Sequence, residues 1–174
     1  MELDTLLKEL DENLAIRRVE KPGKVLYIYC DLNCTVANCK YCGMESHSAH
    51  SKYIRTISAL PIQDYQVKLV ITVPKFFCTN ERCSHKTFAY PISFAAANSI
   101  RTKRLDDYIC RIGMKNSSLK AEKQISDSHV SVSDNTILRI IKKSWPGHQL
   151  QSEKYIHRWF FTLQTKDLFF YSRW

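Results

Sequence analysis

Nowhere does this chain carry an apolar run approaching the ~20 residues that a membrane-spanning helix needs. Its opening, Met1-Glu2-Leu3-Asp4, lacks the basic start of a secretory signal. A cytoplasmic protein with no membrane partner is therefore the expectation. Internal repeats and low-complexity segments are also missing, which argues against a solenoid or a flexible linker. Acidic residues are in deficit, 17 against 26 Lys and Arg, for a formal charge of +9. So basic a chain favours anionic partners, of which nucleic acid is the commonest. The remaining composition, 44% hydrophobic and 25% charged over 174 residues, suits one ordinary globular domain or two small ones.

What the chain does have is cysteine, seven in all. In a reducing cytoplasm, that number points to metal binding rather than disulfides. Cys39-Lys40-Tyr41-Cys42 is a Cys-x2-Cys pair and Cys78 to Cys83 a Cys-x4-Cys pair. Short spacings of this kind let a tight turn place two thiolates on one ion, and zinc favours a tetrahedron of four. Gly43 follows the first pair and can adopt the positive φ that curls the turn round a metal. Cys39, Cys42, Cys78 and Cys83 are thus the expected ligands of one structural zinc ion. Four protein ligands leave no open position for water, so the site offers architecture and no metal catalysis. Cys34 and His85 are rival ligands, while Cys30 and Cys110 read as core thiols. His47 and His50 also lie near the pairs in sequence.

The hydrophobic pattern is mixed. Leu3, Leu6, Leu7, Leu10 and Leu14 have the spacing of an amphipathic helix over residues 2–14. Pro22-Gly23 marks a turn, and Lys24 to Asn33 alternates as a strand, with Leu26, Ile28 and Cys30 opposite Tyr27 and Tyr29. Thr56 to Ala59 reads as a short strand ended by Leu60-Pro61-Ile62. Val67 to Val73 is a half-buried strand that Pro74 stops or marks as an edge, and Thr87 to Tyr90 is a last short one.

From about Arg101 the period becomes helical. Leu105, Tyr108, Ile109 and Ile112 share one face, Leu119, Ala121 and Ile125 a second helix over Ser117 to Asp127, and Ile137, Ile140 and Ile141 a third over Asp134 to Lys143. Ser133 is its expected N-cap and Trp145-Pro146-Gly147 its end. Three such helices suit a helix-turn-helix, whose last helix enters the major groove. Opposite the buried isoleucines stand Asn135, Arg139 and Lys142, with Thr136 and Lys143 beside them. Asn and Arg can each bond a base edge in two places, and lysines suit phosphates. Residues 101–147 hold ten Lys or Arg and five Asp or Glu, a net +5 of the chain's +9. The stretch Asp127 to Val132 is longer than the usual tight turn and lacks its glycine.

The fold class expected is α+β: residues 1–95 a small zinc-ribbon-like β module with an N-terminal helix, residues 96–147 a three-helix helix-turn-helix domain, residues 148–174 an irregular tail. That tail carries Trp159, Phe160, Phe161, Phe169, Phe170, Tyr171 and Trp174 without a sustained period.

From about residue 3 to residue 145 the chain resembles the transposases of the ISL-three insertion-sequence family. The resemblance rests on Cys39-Lys40-Tyr41-Cys42-Gly43, His50-Ser51-Lys52-Tyr53-Ile54-Arg55, Leu60-Pro61-Ile62, Phe76-Phe77-Cys78-Thr79-Asn80 with Cys83, Thr87-Phe88, and Val132 to Arg139. Lys40 stands where the family usually has proline. The resemblance implies a protein that binds double-stranded DNA at the terminal inverted repeats of its element, alone, as a homo-oligomer or paired with a full-length transposase. It also implies catalysis by three acidic residues in an RNase-H-like domain that follows. Here the only acidic residue after Glu153 is Asp167, too few oxygen ligands for two metal ions about 4 Å apart. The expectation is a DNA-binding portion without enzymatic activity of its own, its tail a frameshifted remnant: codons for His157-Arg158-Trp159-Phe160, read one base later, can give Ile-Asp-Gly-Phe. A zinc-stabilised adaptor or regulator, binding protein or DNA, is the alternative reading.

Overall fold

The structure is a computed structural model and describes residues 3–144. The tail at 148–174 and the Trp145-Pro146-Gly147 stop lie outside the described residues. The chain divides into two compact units, the first Met1–Leu105 and the second starting at Asp106.

The first unit is built on a five-stranded sheet. Its strands are β1 (Leu14–Glu20), β2 (Val25–Leu32), β5 (Ala49–Ile62), β6 (Tyr65–Phe77) and β7 (Thr87–Ala89). They run in the order β1-β2-β6-β5, with β7 also on β6. Only β2 and β6 are parallel; the other pairs are antiparallel. β6 is central because its alternation is the cleanest in the chain. Val67, Leu69, Ile71 and Val73 are buried while Lys68, Val70 and Thr72 between them are half-buried. Ile28, Cys30 and Leu32 of β2 and Ile57 of β5 join them in one core, closed by Leu7, Leu14, Phe94 and Ala95. Cys30 is fully buried there, a core thiol as its strand position implies.

Several elements differ from the sequence-based expectation. The first helix, α1, covers only Leu3–Lys8, and Leu14 begins β1 instead of ending a helix. Asp11 explains the break: its carboxylate accepts from the Asn13 N–H at 3.1 Å and its carbonyl from the Leu14 N–H at 3.0 Å, a side-chain turn that competes with the helix. β5 is 14 residues long, not a short strand at 56–59. A register shift between Ala59 and Ile62 absorbs Pro61. Pro74 likewise neither stops β6 nor leaves it at an edge. Its carbonyl accepts from the Tyr90 N–H at 3.0 Å, so its nitrogen faces that same side, where β2 pairing has ended at Thr72 and β7 pairing starts at Lys75. No ladder bond is lost where no donor is required. A two-stranded sheet, β3 (Ala37–Asn38) with β4 (Glu45–Ser46), was not foreseen.

Residues 96–102 add to the first unit's sheet. Arg101 bridges Ser58, and the Arg55 guanidinium donates to the carbonyls of Ala96 and Ser99 at 2.6 and 2.7 Å.

Helix α2 (Lys103–Lys115) begins in the last residues of the first unit, and the second unit holds the rest of it with α3 (Ser118–Asp127) and α4 (Asp134–Ser144). The Thr102 hydroxyl caps α2 by accepting from the Leu105 N–H at 3.2 Å. Ile109, Cys110, Ala121, Ile125, Val130, Ile137 and Ile140 are buried. α2 and α4 approach closely at Gly113, where an added Cβ would lie 2.6 Å from Ile137 Cγ2. α3 ends without glycine: His129 takes a φ of +60°. Its N–H donates to the Ser126 carbonyl at 2.9 Å and the Val130 N–H to the Ile125 carbonyl at 3.2 Å, the bonding of a Schellman cap. Ser133 accepts the first amides of α4 through its carbonyl, from Thr136 and Ile137. Its hydroxyl lies 3.1 Å from that of Thr136 and not on a backbone amide, the capping bond the sequence suggests.

Candidate metal centre

Two loops meet at the end of the first unit where β6 finishes. The first is the β3–β4 hairpin. Its Cys39 N–H donates to the Met44 carbonyl at 2.8 Å, and the Gly43 N–H donates back to the Cys39 carbonyl at 2.7 Å. Gly43 has a φ of +76°, the left-handed region that glycine enters without penalty. The second loop leaves β6 at Phe77 and returns to β7 at Thr87. The Cys78 N–H donates to the Lys86 carbonyl at 2.8 Å, and the Cys83 N–H to the Asn80 carbonyl at 3.0 Å. The Asn80 side chain accepts from the Arg82 N–H at 3.0 Å and tightens the turn. Each loop therefore points two sulfurs inward using its own backbone.

Ser46 ties the loops together. It is fully buried, donates to the Phe77 carbonyl at 2.6 Å and accepts from the Ser48 N–H at 3.2 Å. Beneath lies a small apolar cluster of Ala37, Phe76 and Phe88 with Cys39 and Cys83, separate from the main sheet core. The Phe76 and Phe88 rings are 5.9 Å apart.

The four sulfurs of Cys39, Cys42, Cys78 and Cys83 all lie within 4.8 Å of one another. Cys39 and Cys83 are 4.0 Å apart, and Cys42 and Cys78 3.6 Å. Four sulfurs about 2.3 Å from a single ion at tetrahedral corners stand about 3.8 Å from each other. The donor set thus fits structural zinc. The rivals fall outside it. Cys34 is half-buried at the edge of the apolar cluster, its thiol pushed up by burial and then by the Asp11 carboxylate. The His85 ring stacks on Tyr41, and its Nδ1 lies 2.8 Å from the Ser84 hydroxyl. Cys110 is buried in α2, its Sγ 3.8 Å from Met114 Sδ.

The thiols are unequal. The Met44 backbone amide, ahead of burial that opposes it and of neighbouring thiols that assist it, brings Cys42 down to about 7. Cys78 receives help from the Asn80 amide, yet burial and the sulfurs of Cys42, Cys39 and Cys83 push it up to about 12. Crowded thiolates repel, and a divalent cation is what permits all four to ionise together.

Tyr41 and His85, one from each loop, were not singled out as a pair in the sequence. Their rings lie 3.4 Å apart at 4°, both at the surface. Among the described residues, this thiol cluster is the only group of three or more His, Cys, Asp or Glu side chains that could share an ion. Nor is any described helix long and apolar enough to cross a membrane.

The residues expected to meet DNA sit on α4. Asn135, Arg139, Lys142 and Lys143 are exposed, opposite buried Ile137 and Ile140. Thr136 is half-buried, its hydroxyl 3.1 Å from that of Ser133 and 3.5 Å from the Arg139 guanidinium.

No curated protein and no solved structure matches this chain. Residues 35–83, the span that holds the first thiol pair, β5, β6 and the second thiol pair, match the family of the zinc-finger of transposase IS204/IS1001/IS1096/IS1165.

Proposed function

We propose that this chain binds duplex DNA as part of an insertion-sequence transposase, recognising the terminal inverted repeats of its element. The observation that carries the reading is the zinc-finger match over residues 35–83 around a complete four-thiol site. In this reading α2, α3 and α4 act as a helix-turn-helix. Asn135 and Arg139 read base edges, Lys142 and Lys143 hold phosphates, and Thr136 orients Arg139. The exposed row on α4 supports this, as does the His129 turn, which supplies the conformation that glycine supplies in the usual motif. The zinc ion shapes the first unit and takes part in no strand cleavage; binding, alone or beside a full-length transposase, is the function assigned to these residues.

Arg139→Ala tests the reading in a shift assay on the element's own ends. Loss of a bidentate base contact is expected to cost roughly 1–3 kcal/mol and to relax preference at one base pair. Unchanged affinity and preference would remove α4 from the interface.

A further inference from the structure

Charge in the first unit is segregated along the chain. Residues 1–33 hold seven acids and five cations, whereas residues 34–90 hold seven cations and three acids. Even after the two negative charges of a zinc tetrathiolate are counted, the second stretch remains positive. Lys40, on the first metal loop, and Arg82 and Lys86, on the second, are all exposed. The acids on these loops are Glu45, which pairs with His47 at 3.1 Å, and Glu81.

The Tyr41–His85 stack brings two of these cations, Lys40 and Lys86, into register. Tyr41 lies next to Lys40, whose ammonium stands 4.8 Å from the Tyr41 ring centre, and His85 lies next to Lys86. Stacking the two rings at 3.4 Å therefore registers a lysine of one loop against a lysine of the other. The ion holds the loops at their sulfurs and needs no rings to do so. Tyr41 is left 46% exposed, so the stack lies at the surface and buries little apolar area for the core.

We propose that the metal-bearing end of the first unit is a second DNA contact, in which Lys40 and Lys86, held in register by the Tyr41–His85 stack, grip the phosphates of a duplex together with the exposed Arg82 of the second loop. The inference rests on the DNA-binding reading above but uses different residues. Phosphate contacts carry no sequence information, so this surface adds affinity and salt sensitivity, not base preference.

The test is the full chain, zinc-loaded, carrying Lys40→Gln, Arg82→Gln and Lys86→Gln together, titrated onto a mixed-sequence 40-base-pair duplex at several salt concentrations. Each lost phosphate contact removes about 0.9 from the slope of log affinity against log salt, so three remove about 3 units, and the affinity lost between 50 and 200 mM salt shrinks about 40-fold. Should the triple variant lose its ion, Lys40→Gln with Lys86→Gln replaces it, with about 2 units expected. A zinc-retaining variant with unchanged slope and affinity overturns the proposal. Arg139→Ala separates the two sites. If it leaves preference for the element's ends intact while the triple variant flattens the salt slope, the α4 reading falls and this one stands. The reverse result sinks this proposal alone.

Discussion

The sulfurs of Cys42 and Cys78 lie 3.6 Å apart although 36 residues separate them in sequence. Between them run β4, the whole of β5 and the whole of β6, so a hairpin of two long strands sets the distance between the thiol pairs. The metal closes a gap the sheet has already nearly closed.

One zinc ion per chain is therefore expected, measured by elemental analysis of the purified protein. Cys83→Ser should abolish stoichiometric zinc, while Cys34→Ser should retain it. Structural zinc contributes on the order of 10 kcal/mol or more in small modules. Here its loss should act locally, because the cluster around Phe76 and Phe88 is separate from the sheet core. Hydrogen exchange should rise in residues 37–46 and 78–88 of the apo protein, while β2 and the first half of β6 stay protected. Collapse of the whole first unit would refute this division.

Zinc binding should release protons in a pH-dependent number. Cys78, pushed up to about 12, gives up its proton to the metal at any ordinary pH. Cys42, at about 7, carries its proton below that value and has already lost it above. Metal binding is therefore expected to displace close to one proton more at pH 6 than at pH 8, and affinity falls more steeply with acid below pH 7. Calorimetry in buffers of different ionisation enthalpy reads the count directly; a constant count from pH 6 to 8 would contradict the inequality of these thiols.

Gly113→Ala should destabilise the helical unit. Alanine is the better helix former by about 1 kcal/mol. The new methyl would nevertheless stand 2.6 Å from Ile137 Cγ2 and 2.9 Å from Ile141 Cδ1. Ile137 is fully buried and its branched methyl has little freedom to withdraw. Overpacking of this kind costs about 1–3 kcal/mol, enough to outweigh the propensity gain. A raised melting temperature would show that the α2–α4 crossing is looser than its geometry.

At His129 the sign depends on the replacement. The residue sits at φ +60° in the cap after α3. His129→Val should cost about 1–3 kcal/mol, because a β-branched side chain clashes in that conformation. His129→Gly should be neutral to stabilising on the same unfolding curve. Equal losses from both variants would place the imidazole's contacts, and not its backbone, in control.

The metal site was legible because two short cysteine spacings are chemically specific and need only to be brought together. The alternation of Val67 to Val73 likewise identified a core strand, and the apolar periods located α2, α3 and α4, although Leu119, expected on the apolar face of α3 with Ala121 and Ile125, is exposed. Three features were hidden for physical reasons. Leu14 kept a helical spacing from Leu10 but was buried by a strand, since a leucine ladder does not register the Asp11 turn that interrupts it. Pro61 and Pro74 looked like strand ends; a register shift excuses one and a gap between neighbouring strands the other, and neither is local information. The Tyr41–His85 pair joins loops 44 residues apart and leaves no periodic trace.

The parallel pairing of β2 with β6 has a consequence for how the chain is made. Everything from Asn33 to Asp64 must be synthesised as a crossover before β2 can find its neighbour. Cys42 emerges 36 residues ahead of Cys78, about 2–7 s at bacterial-scale elongation rates of 5–20 residues per second. During that interval a nascent chain exposes half a chelator, two thiolates able to catch an ion but unable to enclose it.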